Sequence, residues 1–169
     1  ITSALTTLIL NHTNPFTKRM IADVLLLELD ESSFHNVFTK KQMTHLIVTN
    51  LTRDQVARNG EPILVYNKVK ESLADNIHLI LNADDPISSF LGNGKKTKYI
   101  SVTNMGKEPY ENITKDFSVC PNCNHAIKYE FRQYRHIGRF TCPNCKLTSK
   151  DGDYFVSSVA KDKLVLNNF

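Results

Sequence analysis

Tryptophan is missing from these 169 residues, glycine and proline contribute only six each, and every one of the four cysteines falls within one short segment. So little glycine and proline excludes a collagen-like or low-complexity chain. With 41% hydrophobic and 22% charged residues, the chain is also not too polar to bury a core. Long apolar runs are lacking too: the strongest, residues 24–29, is far short of the roughly 20 residues that span a bilayer. Residues 1–10 are apolar but no basic residue precedes them, which is not a secretory signal pattern. The expectation is a cytoplasmic protein of one domain, or one with a small appendage. The first residue is Ile1 and it falls inside what reads as an amphipathic helix, so a fragment of a longer protein is expected.

Acidic residues are scarce in one place. Residues 118–150 hold Lys128, Arg132, Arg135, Arg139, Lys146 and Lys150 against the single acid Glu130, whereas the rest of the chain has fifteen basic and sixteen acidic residues. The formal charge of +4 therefore belongs to this segment, which also carries Cys120, Cys123, Cys142 and Cys145. The tetrapeptide Cys-Pro-Asn-Cys occurs twice, and C-x2-C, eighteen residues, C-x2-C is the spacing of a four-thiolate zinc site. Each pair turns tightly so that two sulfurs on one loop reach a single metal. Residues 127–134, a turn at His136-Ile137-Gly138, and residues 139–142 would form the hairpin that brings the pairs together. Two disulfides are disfavoured by the expected reducing compartment, and a redox C-x-x-C has no need of a matched second pair. Four protein ligands leave no open position, so the zinc is read as structural. His125 and His136 are then surface or turn residues.

The body alternates strand and helix. Short runs rich in Val, Ile or Leu at residues 21–29, 45–49, 77–81 and 98–102 are separated by segments long enough for crossovers, which predicts a mostly parallel α/β sheet with flanking helices. Pro62 opens a helix with Ile63, Tyr66, Val69 and Leu73 on one face. A shorter helix at 53–58 ends at Asn59-Gly60. Two further strands flank a turn at 160–163. Polar residues gather after the strands: Glu28, Asp30 and Glu31, then Asn50 and Asp54, then Asn82, Asp84 and Asp85. Open α/β sheets bind ligands outside the carboxyl ends of their strands, and a carboxylate-lined rim suits Mg²⁺ with nucleotide phosphates. Capping of helices and turns is the plainer use of each such residue. Gly92-Asn93-Gly94-Lys95-Lys96-Thr97 is similar to the end of a P-loop, but Lys96 and Ser89 break the pattern and a strand follows it, so it reads as a basic turn.

Three motifs in order carry a resemblance. Residues 22–31 (Ala-Asp-Val-Leu-Leu-Leu-Glu-Leu-Asp-Glu), then Thr49-Asn50-Leu51-Thr52-Arg53-Asp54-Gln55 with Gly60-Glu61, then Asn82-Ala83-Asp84-Asp85-Pro86 resemble the central domain of Mur ligases. The four-cysteine insert narrows the resemblance to the MurT-type subunit of lipid II isoglutaminyl synthase. The resemblance implies an N-terminally truncated Mur ligase central domain, residues 1–117 and 151–169, interrupted by a zinc ribbon at 118–150. It further implies an ATP-dependent amide ligase that phosphorylates the α-carboxylate of D-glutamate in the lipid II stem peptide and displaces phosphate with ammonia from a GatD-type glutaminase. Contact with the membrane is then peripheral, through the membrane-borne substrate only. By position, Glu28 is the Mg²⁺ ligand and Asn82 the adenine contact; Asp85 lies at the cofactor site, and Asp54 is the catalytic acid that supports metal or substrate.

There are departures. A P-loop, expected upstream of Ile1, and a C-terminal Mur domain, expected after Phe169, are not in the chain, so this chain by itself is expected neither to hydrolyse ATP nor to ligate. Gln55 stands where many Mur ligases have a metal-binding His, and Ala57 replaces a second acid. Two other classes fit the ribbon alone: a nucleic-acid binder, with Arg132, Arg135 and Arg139 interleaved among Tyr129, Phe131, Tyr134 and Phe140, or an interaction module. Four thiolates around Zn²⁺ carry a net −2 that cuts the positive charge, and Arg stems packing a small ribbon account for the pattern. No specific nucleic acid is expected.

Overall fold

A computed structural model of the chain describes residues 2–29, 34, 43–51, 62–102, 119–133, 137–160 and 163–168. The body strands are β1 (His45–Val48), β2 (His78–Asn82), β3 (Lys96–Val102), β6 (Tyr154–Ala160) and β7 (Lys163–Asn168). They form one sheet in the order β1-β2-β3-β6-β7. The first four run parallel, and β7 returns antiparallel beside β6. Parallel neighbours require crossovers. That from β1 to β2 contains α2 (Pro62–Ser72), and that from β2 to β3 contains α3 (Pro86–Phe90). The crossover from β3 to β6 carries the cysteine segment, whose strands β4 (Lys128–Gln133) and β5 (Ile137–Thr141) form an antiparallel hairpin. The alternating α/β reading and the mostly parallel sheet are thus found.

Why the body packs follows from β2. Leu79 and Leu81 point to one face and are almost free of solvent, while His78, Ile80 and Asn82 alternate with them. Val65, Tyr66 and Val69 of α2, with Leu73 just after it, cover that face, and Tyr66 stacks on Phe90 of α3 at 5.8 Å between ring centroids. Each fully buried Leu of this kind contributes about 1.5–3 kcal/mol. The helix presents a slightly different face from the expected one: Val65 is buried and Ile63 is exposed, because the covered stripe follows the α3 contact.

Two expectations fail. Residues 21–29 pair with no strand among the described residues, and Val24 and Leu26 are 80% and 82% exposed, although Leu29 packs on the core. An apolar run favours burial, but a strand is made by backbone pairing, and without pairing from this run β1 is left at the sheet's edge among the described strands. Ile137 and Gly138 are not turn residues either; they lie within β5. Gly138 is required there by close approach, since a Cβ would run into the Phe131 carbonyl oxygen of β4. The helix expected at 53–58 and His136 lie outside the described residues. The basic turn is present at 91–95, with Gly94 at φ +76° and Lys95 donating to the Ala74 carbonyl. It sits at the amino ends of the strands, away from the polar rim. Residues 2–11 form the expected helix, α1 (Thr2–Asn11).

Candidate functional site

At the carboxyl end of β2 the chain makes a tight polar junction. The Asn82 amide donates to the Thr49 carbonyl at 2.8 Å, linking the ends of β1 and β2, and its Oδ1 accepts from the Asp84 N–H at 2.9 Å. That second bond is an Asx turn, which the short Asn side chain makes readily. Ala83 N–H reaches the Ile100 carbonyl at 2.8 Å, so the loop is also tied to β3.

Asp84 and Asp85 then face inward, 4% and 1% exposed. The Asp85 carboxylate caps α3 by accepting from the Ile87 N–H at 3.1 Å. It also accepts the Ser88 hydroxyl, and Leu51 N–H from the loop after β1 at 2.9 Å. Pro86 at the first helical position completes a strong start signal. Asp84 Oδ2 accepts from the Val102 N–H at the end of β3 at 2.6 Å. Burial pushes this carboxyl up to about 6 from its ordinary 3.8, opposed by the Val102 bond and the Arg139 guanidinium. Asp84 also reaches the insert, because its backbone carbonyl accepts from Gly138 N–H of β5 at 2.9 Å. Four residues, 82–85, therefore join β1, β2, β3, α3 and the ribbon hairpin.

The predicted rim residues are brought together unevenly. Asn82 stands at the junction. Asp85 is beneath it, with its oxygens turned to protein donors. Glu28 is exposed, next to Leu29, which packs on the same core as Val48 and Leu51. Asp54 and Gln55 lie outside the described residues, and of residues 28, 54 and 82 the described hydrogen bonds place only Asn82 at the junction. Sequence reasoning missed the role of Asp84; the available signal was Asn-x-Asp after a buried strand, an Asx turn whose second acid faces the next strand.

The cysteines form the second cluster. Cys120, Cys123, Cys142 and Cys145 place their sulfurs within 4.8 Å of one another. Cys120 to Cys145 is 3.6 Å and Cys123 to Cys142 is 3.5 Å. A disulfide needs about 2.0 Å. Four sulfurs at about 2.3 Å from a tetrahedral zinc are roughly 3.7 Å apart, so the set fits such an ion. Both knuckles are built alike. Asn124 N–H returns to the Cys120 carbonyl at 2.9 Å and Lys146 N–H to the Cys142 carbonyl at 3.0 Å, with Asn124 and Lys146 in the left-handed region at φ 59° and 62°. Backbone N–H groups aim at sulfur: the His125 N–H pulls the Cys123 thiol down to about 5, and the Asn122 side chain and Leu147 N–H lower Cys145. Burial instead pushes Cys120 up to about 12, a tendency that a bound cation opposes. Ile127, Phe140 and the buried Cys120 and Cys142 make a small core of their own, with Tyr129 and Leu147 against it.

Two of the ribbon's arginines are engaged within the fold. Arg132 lies over the Tyr129 ring at 4.0 Å, and Arg139 pairs with Asp151 at 3.1 Å and Glu130 at 3.5 Å.

In fold the chain is similar to a solved pseudomurein peptide ligase type C from Methanothermus fervidus, with a TM-score of 0.55 and 25% identity over 74% of this chain and 26% of that one. Its sequence is similar to the curated lipid II isoglutaminyl synthase (glutamine-hydrolyzing) subunit MurT. Identity is 28% over 158 residues with the Staphylococcus aureus protein, covering 92% of this chain and 35% of that one. With the Streptococcus pneumoniae protein of the same name it is 25% over 142 residues, covering 82% and 32%. No family model matches. The chain spans about a third of the length of the curated relatives it matches. The resemblance drawn from the motifs and the relatives found by comparison coincide.

Proposed function

We propose that this chain is the nucleotide-facing part of an ATP-dependent amide ligase that amidates the D-glutamate α-carboxylate of lipid II in peptidoglycan synthesis, with ammonia from a GatD-type glutaminase in the cytoplasm. One observation carries the reading: similarity to MurT over 92% of the chain, which also has a polar junction at the carboxyl ends of parallel strands. Asn82 contacts adenine, presenting the lone pair and amide proton not used by Asp84 and Thr49. Asp85, at the cofactor site, ties the loop that carries Asn82 to Leu51 and to the start of α3. Glu28 would hold Mg²⁺, which would spread charge on the phosphates, and Asp54 would be the catalytic acid that supports metal or substrate. The substrate carboxylate oxygen attacks that phosphorus and ADP leaves; ammonia then adds to the acyl carbon, loses a proton, and phosphate departs with the C–O bond electrons. The zinc is structural, held by the four cysteines, and supplies a folded ribbon rather than chemistry. No nucleic acid takes part, a reading that the internal engagement of Arg132 and Arg139 favours.

The test uses the full-length protein with its glutaminase, lipid II and Mg-ATP, with amidation followed by mass spectrometry and nucleotide affinity by calorimetry. Asn82→Ala should weaken nucleotide binding about tenfold, the worth of one to two hydrogen bonds. Asp54→Ala should abolish amidated product. Unchanged binding and product in both variants would refute the assignment.

A further inference from the structure

The insert is not a pendant. Its hairpin is fastened to the loop that carries Asn82 through Asp84, whose carbonyl takes the Gly138 N–H in the middle of the insert, while the Asp84 carboxylate ties the same loop to the Val102 N–H at the end of β3. Gly138 and Ile137 are buried at this contact, and Arg139 beside them places its charge near Asp84. The same hairpin holds its shape through Phe140 and Tyr129, which pack with the cysteines. A continuous path of contacts therefore runs from the four sulfurs, through Phe140 and Gly138, to residues 82–85.

We propose that the four-cysteine ribbon is a positioning device for the 82–85 loop, so that metal held by the thiolates fixes, through Gly138 and Asp84, the geometry with which Asn82 meets its ligand. Small metal ribbons fold with their ion, so removing it releases the hairpin and with it the Gly138 N–H. The Asp84 carbonyl then loses its partner, and the loop keeps only its bonds to β1, β3 and α3. Thermodynamic linkage makes the effect reciprocal: a ligand that needs the fixed loop raises metal affinity by the same factor. Gly138 and Asp84 are positioning residues here. The ligand's identity as a nucleotide rests on the proposed function, whereas the link between metal and loop does not.

Amide hydrogen exchange of the 169-residue chain, with zinc and after chelation, tests the link directly. Chelation is expected to speed exchange at Asp84 and Val102 by about tenfold, equivalent to about 1.4 kcal/mol, with Leu79 and Ile80 of β2 unchanged. Cys142→Ser in the presence of zinc should reproduce the pattern. The idea fails if the ribbon opens while Asp84 and Val102 exchange as before. It also fails if Leu79 and Ile80 open equally, since the metal then supports the whole fold and not this loop. A second measurement, zinc affinity by competition with a chromophoric chelator with and without Mg-ATP in the full-length protein, reads the reciprocal arm. There, loss of the nucleotide effect with the exchange pattern intact would sink the nucleotide reading alone.

Discussion

Asp84 and Asp85 are adjacent, both buried, and do opposite things to stability. Asp85 meets three donors from two elements, so Asp85→Ala removes the cap of α3 and leaves the Leu51 and Ile87 amides without their acceptor. The expected loss is about 3 kcal/mol in urea unfolding, with Asp85→Asn recovering part of it. A loss under about 0.5 kcal/mol would show the junction to be dispensable. Asp84 has its carboxyl raised to about 6 by burial. The native state therefore binds this proton before the unfolded state does, and stability rises as pH falls through 6 toward the ordinary value. Between pH 7.5 and 5 the gain from this group is about 1.4 kcal/mol. Asp84→Asn should flatten that part of the profile. Asp153, lowered by Lys98 and the Tyr99 N–H, acts in the other direction, and its contribution is lost only below the ordinary carboxylate range. A wild-type profile with no difference from Asp84→Asn across that window would contradict the burial effect.

At the scale of elements, the ribbon is the clearest unit. Its core of Ile127, Phe140, Cys120 and Cys142 is too small to stand without cross-linking, and the knuckles bring four sulfurs to metal-binding distance. Cys142→Ser, or chelation of the wild type, is expected to unfold the region from about residue 118 to 150 while the sheet keeps its secondary structure. Limited trypsin digestion would then cut at Arg132 and Arg139, sites protected in the metal-loaded form. Continued protection without metal would mean that the hairpin folds by packing alone. The C-x2-C spacing made this unit legible because a metal site is specified by ligand spacing within a few residues. The place of Gly138 was not legible: a glycine beside a histidine signals a turn locally, and only the opposite strand shows that space, not chain reversal, requires it.

For the molecule as a whole, β2 is the axis, because Leu79 and Leu81 anchor the sheet to α2 and α3 while the end of the same strand carries Asn82. Leu79→Ala is expected to cost about 3 kcal/mol of sheet stability through lost burial and an unfilled cavity. Zinc affinity should stay within about twofold, since Leu79 and the cysteines share no partner. A parallel fall in zinc affinity would show that the two cores are one cooperative unit. Among the described residues, no helix is long and apolar enough to cross a membrane.

Taken by itself, the sequence determined the alternation of strand and helix and the four-thiolate insert, because hydrophobic period, a proline at a helix start and ligand spacing are local quantities. It also determined which strand ends carry Asn and Asp. Tertiary structure alone decided that residues 21–29 pair with no described strand, that α2 buries Val65 in place of Ile63, and that Asp84 joins β3 to the ribbon. Each of these depends on which distant backbone groups and side chains come within reach, and no local pattern encodes that.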